Sequence, residues 1–276
     1  MNAPTRGADT STVKIHVEWN TITTPQNGDA EVTSYSLEWD AGTGGAAWAA
    51  LVGKHSNSLA TTFTVTDGIQ RSKVYQFRVV ARNIWGWGAY SAVTSIKAAK
   101  IPFTMLAPTT SVDALTGGLQ IDWVEPDTSG EPITEYLIEI QKNGEDTWIE
   151  YAATCGGADP SIFTCVVPMA DLESATYGYA QGDPIYVRAR SYNFYGESEI
   201  SPTSIEGIQL RTTPQPMLAP TRNSETSGDK IVVDWSVLVA PDNGDSSILS
   251  YNLVWDDNTA TVDQDLVGVS PYYTQT

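Results

Sequence analysis

Apolar and polar residues alternate along many short segments of this 276-residue chain. Residues 14–19 (KIHVEW) and 35–40 (YSLEWD) both show a period of two, which is the pattern of a β-strand with one buried face. In the second segment the pattern places Ser36, Glu38 and Asp40 in water. Strands with one buried and one solvent-exposed face are typical of antiparallel sheets packed as a sandwich. We therefore predict an all-β fold.

The same strand pattern recurs at a spacing of about one domain. Segments with an acidic residue directly before Trp end at Trp19, Trp123 and Trp235, and an Ala-Pro-Thr triplet precedes each at the same two spacings. A block with an aliphatic residue, two further residues and Tyr follows each Trp. A period of this length indicates an array of whole domains. The predicted copies are residues 1–101, 102–212 and 213–276.

These blocks together resemble the fibronectin type III domain. In the first copy, residues 75–83 read Y-x-F-x-V-x-A-x-N and Gly86 follows, while residues 187–193 and Gly196 match in the second. The resemblance implies tandem seven-strand antiparallel β-sandwiches of the immunoglobulin-like kind. The family's corner tyrosine corresponds to Tyr75, whereas Ile185 holds that position in the second copy.

The third copy is incomplete in this sequence. Only eight residues follow its Leu-Val-Gly block at residues 266–268, so strands equivalent to about E, F and G are expected to be missing. Three interpretations remain open. The sequence is a segment of a longer array, or another chain supplies the missing strands, or the last copy is disordered or folded differently.

Composition excludes several function classes. The chain has 33 Asp+Glu against 15 Lys+Arg, a formal charge of -18, which argues against nucleic-acid binding. By copy, the charge divides into about +2, -13 and -7. With only two His and no nucleophile or phosphate-binding motif, the chain is predicted not to be an enzyme. No segment is apolar enough for membrane insertion and no signal peptide is visible, so an extracellular or cell-surface location requires a leader outside this sequence.

Two cysteines, Cys155 and Cys165, flank a turn-forming Gly-Gly-Ala-Asp-Pro segment. This spacing allows a disulfide, and an even cysteine count in a modular β protein favours an oxidising compartment. The alternative is two free thiols.

The loop after each Trp strand, here called the B–C loop (residues 25–31, 126–131 and 241–245), is acidic in all three copies. Carboxylate clusters are ligands that Ca²⁺ prefers, so Ca²⁺ is the one cofactor considered. The alternative is that these acids are solvated turn residues, because none fits an EF-hand spacing. The candidate ligands are Asp29, Glu31, Asp127, Glu131, Asp242 and Asp245.

A candidate interaction patch surrounds the segment Asn-Ile-Trp-Gly-Trp-Gly-Ala-Tyr at residues 83–90. The segment loosely resembles the Trp-Ser-x-Trp-Ser box of cytokine-receptor modules, which implies cation–π contacts between Trp rings and arginines of the preceding strand. The alternative is a Gly-rich turn with structural aromatics. The patch residues are Arg78, Arg82, Trp85, Trp87 and Tyr90.

Together these features predict a non-enzymatic structural or adhesive segment of an extracellular modular protein that binds protein partners. One form of this hypothesis is the repeating part of a surface fibre or filament, assembled by head-to-tail self-association. The alternatives are a ligand-binding or stalk region of a receptor or adhesion ectodomain, and spacer modules of a secreted carbohydrate-active enzyme.

Overall fold

The computed structural model describes residues 1–157, 159–256, 261–267 and 272–275. The first copy contains β1 (Thr5–Arg6), β2 (Ile15–Glu18), β3 (Ser34–Trp39), β4 (Ala49–Val52), β5 (Thr62–Val65), β6 (Val74–Asn83), β7 (Gly86–Trp87) and β8 (Thr94–Lys97). The second contains β9 (Thr109–Val112), β10 (Leu119–Asp122), β11 (Ile133–Gln141), β12 (Trp148–Glu150), α1 (Ala152–Cys155), β13 (Thr164–Val167), α2 (Met169–Leu172), β14 (Pro184–Ile185), β15 (Val187–Asn193), β16 (Gly196–Glu197) and β17 (Ile208–Gln209). The third contains β18 (Thr221–Arg222), β19 (Ile231–Asp234), β20 (Ser250–Asp256), β21 (Thr261–Val267) and β22 (Tyr272–Gln275).

Two antiparallel sheets form the first copy. One has the order β1-β2-β5, and the other has the order β4-β3-β6-β7 with β8 also paired to β6. Alternation sends Ile15, Val17 and Trp19 into the core from the first sheet, where they meet Leu37 and Phe77 from the second. Burial of such side chains contributes about 1.5–3 kcal/mol each, so this inner layer holds the two sheets together.

The second copy repeats this topology. Its sheets have the orders β13-β10-β9 and β12-β11-β15-β16, and a short pair, β14 with β17, extends the long strand. Its own buried cluster is centred on Leu119, Ile121, Trp123, Tyr136 and Ile138. The two clusters are separate, as expected for two modules that each bury a core.

The third copy shows the start of the same arrangement. Its sheets have the orders β18-β19-β22 and β20-β21, and β22 pairs with β19 as β5 pairs with β2. The predicted end of its Leu-Val-Gly block, at Gly268, lies outside the described residues. No helix among the described residues is long and apolar enough to cross a membrane.

The outward side of β3 and the residue after it are not in water, contrary to the prediction. Ser36, Glu38 and Asp40 are 0%, 6% and 1% exposed. Side chains from neighbouring strands cover Glu38, and backbone amides of a tight turn, including those of Gly42 and Gly45, surround Asp40. Alternation assigns a face to each side chain, but it does not show that long polar side chains will bury the outer face.

Two local features fix the loops that precede the long strands. Tyr75 is fully buried, and its hydroxyl donates to the Gly68 carbonyl (2.9 Å) and accepts from the Gln70 amide (2.7 Å). Ile185 stands at that position in the second copy, where the hydroxyl of Tyr179 instead donates to the Gln141 carbonyl (2.7 Å).

Cys155, at the end of α1, and Cys165, on β13, form a disulfide with their Cα atoms 5.2 Å apart. Both side chains are buried in the second core, so the bond joins the α1 segment to a core strand. The cysteine spacing predicted this bond. The two short helical turns, α1 and α2, were not expected from the strand pattern.

Candidate interaction surfaces

A stack of cations and aromatic rings covers the outer face of β6 in the first copy. The guanidinium of Arg78 lies 3.9 Å from the ring centroid of Tyr90 and 4.1 Å from that of Trp48. Further along, Trp87 has the Lys54 ammonium 5.1 Å from its centroid and the Arg82 guanidinium at 5.8 Å. These are cation–π distances. We call this set the cation–aromatic face.

The buried carboxylate of Glu38 holds the face together. It accepts from Arg78 Nη2 (2.7 Å) and from the Tyr90 hydroxyl (2.6 Å), and Lys54 Nζ lies 3.4 Å away. Burial raises the pKa of Glu38, but the hydrogen bonds from Tyr90 and Arg78 outweigh it and leave this pKa below its ordinary value. The acid therefore stays ionised and balances part of the positive charge.

The equivalent face of the second copy keeps the centre of this arrangement and changes its surroundings. Arg188 stacks on Trp148 (4.2 Å) and donates through Nε to Glu139 (2.8 Å). Arg190, however, pairs with Glu197 (3.1 Å), so a second carboxylate stands in place of Trp87. This face is correspondingly more acidic.

Trp85 does not belong to the stack. It is 82% exposed and Ile84 is 72% exposed, both on the turn between β6 and β7. With the B–C loop this turn forms the end of the copy that we call its leading pole. A groove of about 430 Å³ opens there, lined by Met1, Ile22, Asn27, Gly28, Asn83, Trp85 and Trp87 among others. The sequence-predicted patch is thus split between the outer face and the pole.

The first joint is the contact of the leading pole of the second copy with the first copy. The Lys100 amide donates to the Ser129 carbonyl (3.1 Å). Three residues later, the Phe103 amide donates to the Asp127 carbonyl (3.0 Å). The linker therefore runs along the B–C loop and is bonded to it by its backbone.

Two ion pairs reinforce this joint. Arg71 makes a two-point contact with the carboxylate of Asp127, in which the Nη1 bond is 2.8 Å long. Lys97 Nζ lies 2.9 Å from a carboxylate oxygen of Glu131. Hydrogen bonding from Arg71 lowers the pKa of Asp127 below its usual range. The basic end of the first copy thus meets the acidic loop of the second.

The last residue of β15 and the turn that follows it supply the rest of the first joint. Asn193 Nδ2 donates to the carbonyls of Lys100 (2.8 Å) and Thr128 (3.2 Å), which bridges linker and loop. The guanidinium of Arg6 lies 4.5 Å from the ring centroid of Tyr195. An aromatic residue on this turn therefore contacts the preceding copy.

The second joint, between the second and third copies, repeats the backbone part of the first. The Thr212 amide donates to the Gly244 carbonyl (3.2 Å). The Gln215 amide, again three residues later, donates to the Asp242 carbonyl (2.8 Å).

The side-chain contact of the second joint pairs a neutral amide with a carboxylate. Gln181 Nε2 donates to the Pro241 carbonyl (2.6 Å) and to the carboxylate of Asp245 (2.7 Å). Gln181 holds the position of Arg71, because each precedes a positive-φ residue whose amide bonds to the strand end of its own copy. Those residues are Ser72 (φ 65°) and Gly182 (φ 86°), bonded to Ala98 and Leu210.

The copies are similar to a known family. A model of the fibronectin type III domain matches residues 3–97. The first copy is a fibronectin type III domain, and the chain repeats its sheet order in tandem in the second copy. The sandwich topology and the repeated joints described above extend this identification from the first module to its neighbours.

Contactin-2 of Rattus norvegicus is 27% identical to this chain over 206 residues, which cover 69% of the chain and 18% of that protein. Contactin-2 of Homo sapiens is 28% identical over 190 residues, covering 65% and 16%. The matched region therefore spans less than a fifth of the length of these relatives. The crystal structure of the chicken CNTN1 FN1-FN3 domains covers 99% of this chain and 86% of its own, at 16% identity and a TM-score of 0.37.

The acids of the B–C loops take part in the joints. Asp127, Glu131 and Asp245 are paired with Arg71, Lys97 and Gln181. The remaining Ca²⁺ candidates, Asp29, Glu31 and Asp242, lie in the same loops. Within the described residues, no group of three or more His, Cys, Asp or Glu side chains could hold a metal ion.

A ladder of serines on the last segment of the second module was missed by the sequence reasoning. Ser198, Ser201 and Ser204 are buried, and each donates its amide to, and accepts through its hydroxyl from, one residue of β15. Their spacing of three residues is that of an extended polyproline-type helix and differs from the period of a strand. The sequence motif that could have indicated this ladder is Ser-x-x-Ser-Pro-x-Ser.

Proposed function

We propose that this chain is a non-enzymatic structural and adhesive segment of an extracellular modular protein, in which the modules are joined into a semi-rigid rod. The observation that carries this proposal is the recurrence of the same two linker-to-loop backbone bonds in both joints. A freely jointed chain would not need a bonded linker at each boundary. Pro102 and Pro214 also restrict these linkers.

The extracellular setting is supported by two independent features. A disulfide inside a module is expected to persist only in an oxidising compartment. The partial match to Contactin-2 covers about two modules, in keeping with a modular protein of the cell surface.

A filament is the more specific form of this proposal. Both joints pack the end of one module against the leading pole of the next, so one geometry repeated between chains would continue the rod head to tail. Electron microscopy of the protein at native concentration tests this form. Filaments or end-to-end dimers would support it, whereas dispersed monomers with and without Ca²⁺ would contradict it.

One observation favours the alternative of a ligand-binding ectodomain segment. Trp85 is almost fully exposed beside a groove, and exposed Trp residues anchor protein interfaces. Loss of binding to a partner on Trp85→Ala, with unchanged rod dimensions, would favour this alternative.

The rod itself is tested by small-angle X-ray scattering of the whole chain. A variant with Gly-Ser-Gly-Ser inserted after Lys100 separates the two bonded linker positions without altering a module. In this variant we expect a broader distribution of interatomic distances and a wider range of maximum dimensions. An insertion of the same length between Gly144 and Glu145, which are both exposed in the turn between β11 and β12, is the matched control. Indistinguishable profiles for all three proteins would contradict the proposed rod.

A further inference from the structure

The three leading poles share one feature of backbone conformation. Two consecutive residues of each B–C loop have positive φ, and they follow a Pro by three and four positions. They are Gly28 and Asp29 (70° and 52°), Ser129 and Gly130 (53° and 87°), and Gly244 and Asp245 (71° and 57°). The loops can therefore be compared residue by residue.

In the second and third modules, two carbonyls of this loop accept linker amides. The positions are Asp127 and Ser129 in one, and Asp242 and Gly244 in the other. The equivalent carbonyls of the first module belong to Gln26 and Gly28. Within the described part of the chain, no backbone amide donates to either of them.

A side-chain hydrogen bond at the leading pole of the first module also matches one at the leading pole of the second module. Asn83 donates to the Asn27 carbonyl (2.9 Å), as Asn193 donates to that of Thr128. The second bond of Asn193, to the linker carbonyl of Lys100, has no counterpart at Asn83 in the described chain.

The aromatic position shows the same difference. Tyr195 is stacked against Arg6 of the preceding module, whereas Trp85, at the equivalent place on its turn, is 82% exposed. The groove of about 430 Å³ beside Trp85 occupies the side on which a preceding module lies at the other two poles.

We propose that the leading pole of the first module is a docking site for the trailing end of another fibronectin type III module joined in series. The linker of that module would donate two amides, three residues apart, to the carbonyls of Gln26 and Gly28. A cation or amide side chain at the position of Arg71 or Gln181 would bind Asp29, which stands where Asp245 binds Gln181.

We favour a docked module that is covalently attached in series, because the linker itself supplies the two backbone bonds of each observed joint. A separate module would also lose translational and rotational freedom on binding, whereas attachment in series makes the docking intramolecular. This inference extends the proposed rod and rests on it.

An extended chain tests the inference. Residues 1–106 are fused directly before Ala3 of the full chain, which reproduces the natural spacing from the linker to Ala-Pro-Thr. Hydrogen exchange is then followed at Lys100 and Phe103 of the added copy, with the same two amides of the original first joint as an internal reference. We expect exchange in the added copy to be slowed about tenfold or more relative to a version with Gly-Ser-Gly-Ser inserted after Lys100 of that copy.

Asp29→Ala should reduce this protection in the extended chain, and Glu31→Ala in the same loop should not. Fast exchange in the added copy beside a protected original joint would overturn the docking inference and leave the rod intact. Fast exchange at both joints would instead contradict the rod. Protection that persists after the insertion would show that the natural linker spacing is not needed for docking and would also overturn the inference.

Discussion

The two joints of this chain use one backbone arrangement with different side chains. In both, two linker amides donate to two carbonyls of the next B–C loop. The first joint adds the pairs of Arg71 with Asp127 and Lys97 with Glu131, while the second adds the neutral amide of Gln181. We infer that the loop backbone sets the geometry of a joint and that the side chains set its strength and its dependence on salt.

This difference parallels the uneven charge along the chain. The first module is near neutral, and five of its cations lie at the end that faces the acidic second module. They are Arg6, Arg71, Lys73, Lys97 and Lys100. Uniformly acidic modules would repel each other along a rod, whereas at this joint the basic end of one module attracts the acidic loop of the next.

The largest expected effect comes from Gly244→Ala, which breaks the second joint. An added Cβ would lie 2.0 Å from the Thr212 carbonyl oxygen, and the φ of 71° costs a non-glycine residue roughly 1–2 kcal/mol. The linker must therefore move away from the loop. We expect the Thr212 and Gln215 amides to exchange at least tenfold faster, while Lys100 and Phe103 keep their rates.

Gly28→Ala is the matched control for this change. Gly28 has nearly the same φ of 70°, but its added Cβ would meet only a side-chain atom of Asn83, at 3.4 Å. It should lower the stability of its own module by a similar strain without affecting Thr212. Equal exchange at Thr212 in both variants would show that the clash does not control the joint.

The ion pair of the first joint should have the next largest effect. Arg71→Gln removes the two-point contact with Asp127 and gives this joint the residue found at the second. Both side chains are 45% exposed, so we expect a loss of about 0.5–1 kcal/mol. A double-mutant cycle with Asp127→Asn, read from Lys100 exchange, measures the coupling. The coupling should shrink in high salt, and coupling that is unaffected by salt would argue against an ionic contact.

The sequence predicted the modules that form these joints but not the contacts between them. The repeat, the strand faces of Ile15, Val17 and Trp19, and the disulfide followed from period and spacing. The acids of the B–C loops stood out as Ca²⁺ candidates because a sequence shows which charges are near each other in the chain. It does not show that Arg71, 56 residues before Asp127, faces it across a module boundary.

The cation–aromatic face was also predictable only in part. Alternation along one strand places Arg78 and Arg82 on one side, and the Trp-Gly-Trp turn follows at once. Trp48 and Lys54 come from a different strand and its loop, so their place beside Arg78 and Trp87 depends on the pairing of sheets. The burial of Glu38 arises from the same long-range packing.

Acidification should weaken the first joint by no more than the ion pair contributes. Hydrogen bonding from Arg71 keeps the pKa of Asp127 below its ordinary value, so its contribution is fully present above the ordinary carboxyl pKa of about 4. The contribution is lost as the pH falls through the lowered pKa of the folded state. Lys100 exchange, corrected for its intrinsic pH dependence, should show this loss below about pH 4, and Asp127→Asn should abolish it. An equal loss in that variant would assign the effect to another group.

The smallest effect is expected from Gln181→Arg, which gives the second joint the side chain of the first. Asp245 already accepts from Gln181 at 2.7 Å, so a guanidinium at this position can reach the same carboxylate. Because the contact is near the surface and three hydrogen bonds of the amide, one of them accepted from the Thr212 hydroxyl, are exchanged for it, we expect a gain of only about 0.2–0.5 kcal/mol. The informative readout is the salt dependence of Thr212 exchange, which should be weak in the original chain and should rise to resemble that of Lys100. Gln181→Lys, which keeps the charge without the planar fork, should gain less. If the salt response of Thr212 does not change with arginine in place, the joints differ in backbone geometry as well as in side chains, and their equivalence is contradicted.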